Sequence, residues 1–196
     1  MEYHFYGWKN ASVPAVSSKY PGIFTPLDLY RALSSVWCAE TCAPRMRADW
    51  SPDNPTLGQC SITAFLAQDI FGGKVYGIPL NDGCFHCYNA VRDCVFDLTS
   101  EQFGDCQLNY TNNPEQFRKV HFAKYEKHQR YEMLKKLLTR HLSRIEAVSS
   151  IPFSAEKKSI EWADAIPDED ERPSPYEPSY HDGSVKNECW NDREVY

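Results

Sequence analysis

Cys60 sits where a thiol is best placed to act as a nucleophile. It follows Gly58-Gln59 and opens an apolar helical pattern, so the orphan N–H groups and positive end of a helix would favour its thiolate. A catalytic thiolate needs a base to accept and return a proton, and a third group to orient that base. His86 is the histidine of the predicted sheet, whereas His121, His128 and His141 fall in the polar, helical C-terminal half. Asp97, on the next predicted strand, offers the orienting carboxylate. Such a trio performs acyl transfer, which also requires donors for a developing oxyanion. The Cys60 backbone N–H is one, and Gln59 or Asn54 is a candidate side-chain donor.

Whether the trio can meet depends on the elements that carry it. Thr25 and Pro26 open a helix with apolar residues at Leu29, Tyr30, Leu33, Val36 and Trp37, as expected of an N-cap followed by proline. The helix begun by Cys60 continues through Ile62, Phe65, Leu66 and Ile70 and stops at Gly72-Gly73. Lys74 to Leu80, Cys84 to Val91 and Cys94 to Leu98 read as three strands. If Arg92-Asp93 is a two-residue loop, Val91 pairs with Cys94 and Tyr88 lies opposite Asp97. His86 and Asp97 then share a face as diagonal neighbours about 7–8 Å apart. An odd loop without a bulge would put them on opposite faces. Thr99 with Gln102 resembles a capping box, and Asn113-Pro114-Glu115-Gln116 another. The latter leads to a long helix marked by Phe122, Tyr125, Tyr131, Leu134, Leu138, Leu142 and Ile145. Helices, a short antiparallel sheet and a long closing helix make an α+β class.

Composition bounds the function. The 196 residues carry a formal net charge of -6 with 14% aromatics, which fits one domain with extensions and argues against a generally basic nucleic-acid binder. Residues 1–24 read as an N-terminal extension and 25–150 as the domain. Residues 151–196 read as an acidic, Pro-rich tail able to wrap the domain. The tail holds Asp168-Glu169-Asp170-Glu171 and a net charge of -7, against +1 for the rest. Lys119, Lys124, Lys127, Arg130, Lys135, Lys136, Arg140 and Arg144 make the long helix locally basic, but Glu115, Glu126 and Glu132 dilute it, and i,i+4 pairing explains the pattern. No apolar run suits a membrane span and no signal-peptide pattern opens the chain. Eight cysteines without an export signal suggest reduced thiols in a cytoplasmic setting. Cys38, Cys42, Cys84 and Cys87 are the competing pattern, a four-thiolate zinc site, although positions 84 and 87 of a regular strand point to opposite faces. Neither a cofactor nor a metal is expected at the Cys60 site.

The ordered segments Trp50, Asn54-Pro55, Gly58-Gln59-Cys60-Ser61-Ile62-Thr63-Ala64, Gln68-Asp69-Ile70-Phe71-Gly72-Gly73, His86-Cys87-Tyr88-Asn89 and Asp97-Leu98-Thr99-Ser100-Glu101-Gln102-Phe103 resemble the YunG-like family of small bacterial proteins. Arg130-Tyr131-Glu132-Met133-Leu134 resembles that family's late helix. The resemblance spans about residues 27–140. Tyr88 departs from it, standing where Trp is expected, and the tail and additional cysteines lie outside the pattern. More distantly, helix-borne Cys followed by His and Asp on neighbouring strands is similar to transglutaminase-like and papain-like thiol enzymes. That likeness implies a papain-like α+β fold and hydrolysis, deamidation or transamidation of an amide or isopeptide-like bond in a protein or peptide-like substrate. Cys60 would be nucleophile, His86 base then acid, and Asp97 the orienting acid. The alternatives are a non-enzymatic binding module on the same fold and a zinc-stabilised structural protein.

Overall fold

Helix α2 (Cys60–Phe71) is apolar on nearly every side, and such a helix must be buried all round. Residues 61–67, Ile70 and Phe71 are accordingly buried, with strand β2 (Phe85–Val91) on one side and helix α4 (Tyr125–Ser149) on another. The chain is described from a computed structural model covering residues 4–149 apart from residue 82. The acidic tail over 151–196 lies outside the described residues. Helix α1 (Pro26–Ser34) precedes α2, and strands β1 (Lys74–Pro79), β2 (Phe85–Val91) and β3 (Cys94–Phe96) follow it. A one-turn helix α3 (Arg118–His121) and the long α4 (Tyr125–Ser149) close the order. The architecture is α+β, with a three-stranded antiparallel sheet in the order β1-β2-β3.

The β2–β3 register pairs Val91 with Cys94, Ala90 with Val95 and Asn89 with Phe96, as the two-residue loop predicts. Arg92 closes that loop at φ 54, the left-handed conformation that tight hairpins demand. Central β2 is covered on both faces. Asn89 Nδ2 donates to the Ala64 carbonyl of α2 at 2.8 Å, while the Tyr88 hydroxyl, on the other face, donates to the Tyr110 carbonyl at 2.9 Å.

Both sheet edges are closed by irregular chain, which satisfies backbone groups that would otherwise stay unpaired. Tyr6 bridges Asp97 just beyond β3, and Glu115 bridges Tyr76 of β1. The second bridge corrects the expectation for 113–116. That segment caps no helix; the Pro114 carbonyl accepts from Gly77 N–H at 3.0 Å, and Gln116 N–H donates to Val75 O at 2.8 Å. The segment before α1 also joins the core, through Phe5, Ala11, Val13, Tyr20 and Ile23. Helix α4 buries Tyr131, Leu134, Leu138 and Leu142 at 3–4-residue spacing, but Tyr125 and Ile145 face outward. No helix among the described residues is long and apolar enough to cross a membrane.

Candidate active site

Cys60 is the first residue of α2, and the loop delivering it is held from behind by α4. Arg130 is buried, donating to Thr41 O at 2.9 Å and Gly58 O at 3.3 Å, with Glu126 ion-paired to its Nε. Gly58 adopts φ +68, and a Cβ there would lie 2.6 Å from Cys42 Sγ. Only glycine accommodates both the left-handed backbone and that approach. The position of Cys60 is thus fixed by a turn that admits no side chain and by a buried guanidinium.

His86 of β2 and Asp97 beyond β3 form a buried pair, each 1% exposed, with Nε2 and Oδ2 2.5 Å apart. Asp97 is fully engaged. Its Oδ1 accepts from the Thr99 N–H at 3.0 Å and the Thr99 hydroxyl at 3.1 Å. Its Oδ2 also accepts the Tyr110 hydroxyl at 2.9 Å, and Tyr6 stacks on Tyr110 with ring centres 3.7 Å apart. The Thr99 hydroxyl thus donates to the carboxylate, and its oxygen makes no cap hydrogen bond to the 3-10 turn Ser100–Phe103. Gln102 links the two halves of the site, donating to Thr99 O at 2.8 Å and accepting from Gly58 N–H at 3.4 Å. Phe103 meets the His86 ring edge-on, with centres 4.7 Å apart.

The remaining ring nitrogen, His86 Nδ1, is buried on the side away from Asp97 and is not taken up by any structural acceptor. The thiol of Cys60 interacts with that ring by polar contact and by charge. Resting thiol sites are often loose in this way. Burial alone would pull His86 down, but the charge and hydrogen bond of Asp97, then Cys60, overcome it and push His86 up to about 10. Burial likewise opposes ionisation of Cys60, but His86 and the Cys87 backbone N–H hold the thiol below its ordinary range. Both directions favour a thiolate–imidazolium pair. Burial raises the other shifted thiols: Cys42 to about 11, and Cys87 and Cys94 also upward.

A cavity of about 810 Å³ opens over Cys60 and His86, within the range of small-molecule and peptide sites. The fold brings Cys60, His86 and Asp97 together. Gln59 and Asn54 do not line this cavity. Gln59 is buried with its Nε2 donating to Cys38 O at 3.0 Å, and Asn54 Oδ1 accepts from the Thr56 hydroxyl at 3.3 Å. Tyr6 and Tyr110 escape sequence reasoning, whereas Gln102, Phe103 and Arg130 lie in the segments that carry the resemblance, with no role at the site read from them. Cys38, Cys42, Cys60, Cys87 and Cys94 carry free thiols. No group of three or more His, Cys, Asp or Glu among the described residues is arranged to hold a metal ion.

No solved structure matches the chain at a significant level. It is 31% identical over 96 residues to a Bacillus subtilis (strain 168) protein described as "Uncharacterized protein YunG", an alignment covering 49% of this chain and 80% of that one. The family model for the YunG protein matches residues 25–143, which include every residue of the site except Tyr6. The chain belongs to the YunG protein family.

Proposed function

We propose that this protein is a cysteine-dependent hydrolase or acyltransferase acting on an amide or isopeptide-like bond through Cys60, His86 and Asp97. The observation that carries this reading is the buried 2.5 Å His86–Asp97 pair with the Cys60 thiol in polar contact with the same imidazole. The order of helix-borne thiol, strand-borne histidine and following acid supports a papain-like or transglutaminase-like arrangement, by analogy of roles.

The chemistry follows from the protonation states. The Cys60 thiolate attacks the substrate carbonyl carbon, and the Cys60 backbone N–H meets the oxyanion that forms. Imidazolium Nδ1–H then protonates the departing amine as the C–N bond breaks, leaving a thioester on Cys60. Water or an acceptor amine attacks that thioester, passing its proton back to His86 as the thiolate leaves. Asp97 keeps Nε2 protonated throughout, so that Nδ1 does the proton transfer.

The test is alkylation by iodoacetamide as a function of pH, read peptide by peptide. Cys60 should reach its full rate below the ordinary thiol value of about 8.5 and outpace Cys94. A Cys60 no faster than Cys94 across the range removes the thiol-enzyme reading.

A further inference from the structure

We infer that the substrate brought to Cys60 is a peptide segment carrying an acidic side chain next to a bulky apolar one; this rests on the thiol-enzyme reading and names its substrate class. The charge around the cavity runs against that of the protein. Arg45, Lys124, Lys127 and Arg130 line it, and Glu115 is the one carboxylate lining it among the described residues. Glu115 is already paired with Lys74 at 2.8 Å, and Arg130 with Glu126. Lys124 and Lys127 have no carboxylate partner among the described residues. Lys127 is aimed at the neighbouring His121, its Nζ 3.5 Å from Nδ1. Burial and the cations Lys127, Arg130, Lys124 and Arg118 hold His121 down to about 3, so the imidazole stays neutral inside a positive wall. In a chain of net charge -6, unmatched cations beside a reactive thiol give a local attraction for anions.

The rim supplies the other half of the recognition. Phe85, Phe117 and Val120 are 41%, 59% and 73% exposed, and all three line this same cavity. An exposed apolar group concentrated at a site marks a binding surface. A free phosphate or small carboxylate would use the lysines and leave this rim uncovered. A peptide with adjacent apolar and acidic side chains covers both, and its backbone amide is the bond the thiol would attack.

The experiment uses the full chain and N-acetyl dipeptide vinyl sulfones bearing Phe-Glu, Phe-Gln or Phe-Lys, with each pair also in reverse order. In each, the Cys60 sulfur bonds the vinyl carbon β to the sulfone and the carbon α to the sulfone takes a proton, so the label is permanent and counted on the Cys60 peptide. In the better order, the Glu probe should label Cys60 about tenfold faster than its uncharged Gln isostere at low salt, the sum of two partly exposed charge contacts. The ratio should fall towards one in 0.5 M NaCl and in the Lys124→Gln/Lys127→Gln double variant. Replacing Phe by Gly in the Glu probe should cost a further severalfold in rate. A Glu probe no faster than Gln in either order overturns the inference. So does iodoacetamide labelling of Cys60 without labelling by any peptide probe, while the thiol reading stands. If iodoacetamide does not distinguish Cys60 from Cys94, the reading beneath falls and the inference with it. The salt series on the wild-type chain makes the result independent of how the double variant folds.

Discussion

Replacing Asp97 by Asn removes one charge and almost no volume, and the surroundings dictate how the new amide must sit. The Thr99 N–H and hydroxyl both donate to Oδ1, so the amide oxygen keeps that place and the NH2 group takes the place of Oδ2. That NH2 now faces His86 Nε2, formerly 2.5 Å from a carboxylate oxygen. Two donors cannot face each other, so Nε2 must give up its proton and accept. His86 becomes neutral with its proton on Nδ1, and the thiol can no longer hand its own proton to the ring. Holding His86 up to about 10 rather than 6.5 corresponds to roughly 5 kcal/mol in favour of the imidazolium, and most of that preference goes with the carboxylate.

The consequence falls on Cys60. Without the imidazolium its titration returns to the ordinary thiol value of about 8.5 or above, where about 3% is thiolate at pH 7. Burial, which opposes ionisation here, pushes the fraction lower still. Iodoacetamide should therefore alkylate Cys60 of Asp97→Asn at least about 30-fold more slowly than wild type at pH 7, read by mass spectrometry on the Cys60 peptide. The two rates should converge near pH 10. The Cys94 rate in the same sample reports any general opening, and circular dichroism reports folding. A folded Asp97→Asn chain that labels Cys60 at the wild-type rate at pH 7 refutes the argument that Asp97 maintains the thiolate through His86.

Three further outcomes follow from the same contacts. Gly58→Ala places a Cβ 2.6 Å from Cys42 Sγ and 2.9 Å from Ala43 N at φ +68; strain and overpacking should cost about 2–4 kcal/mol in urea unfolding, and a neutral result shows that the loop relaxes freely. Arg130→Met strips the buried Thr41 and Gly58 carbonyls of their donor; a loss of about 2–4 kcal/mol is expected, with slower Cys60 labelling because the loop behind it is released. In Cys60→Ser the thiol no longer titrates, so His86 dominates the pH dependence. Asp97 still raises its folded value, so its stabilising contribution is complete below about 6.5 and fades as pH rises above that through the folded value. Urea unfolding of this variant should show stability declining over that window, and a flat profile denies a protonated His86.

What could be read from the sequence was local. The helix start at Cys60 is announced by Gly58 and by the apolar run behind it. The shared face of His86 and Asp97 follows from the parity of a two-residue turn, which Arg92 closes at φ 54. Contacts between distant segments leave no such trace. Asp97 is held by Tyr6, 91 positions earlier, through a bridge at the sheet edge, and by Tyr110 from an irregular segment with no periodicity. Asn113 to Gln116 has the letters of a helix cap, but the open edge of β1 needed donors and acceptors there, and that demand decided its conformation. Adjacency to Cys60 points to Gln59 as an oxyanion donor, but the Cys38 carbonyl, brought close by the preceding loop, accepts from its amide.

The buried pair also bears on the choice between an enzyme and a fold that merely binds. Removing a histidine and an aspartate from water costs several kcal/mol per ion, and packed hydrophobic residues of similar volume are often neutral or stabilising in such places. A binding module would lose nothing by that exchange, since His86 and Asp97 are each 1% exposed and offer little surface to a partner. Here the acid instead receives two donors from Thr99 and one from Tyr110, and the histidine keeps its second nitrogen without a settled partner. A purely structural pair would close that nitrogen with a fixed acceptor. An imidazole clamped on one side and uncommitted on the side of the thiol is what proton transfer requires, and the Asp97→Asn experiment asks whether the clamp has that effect.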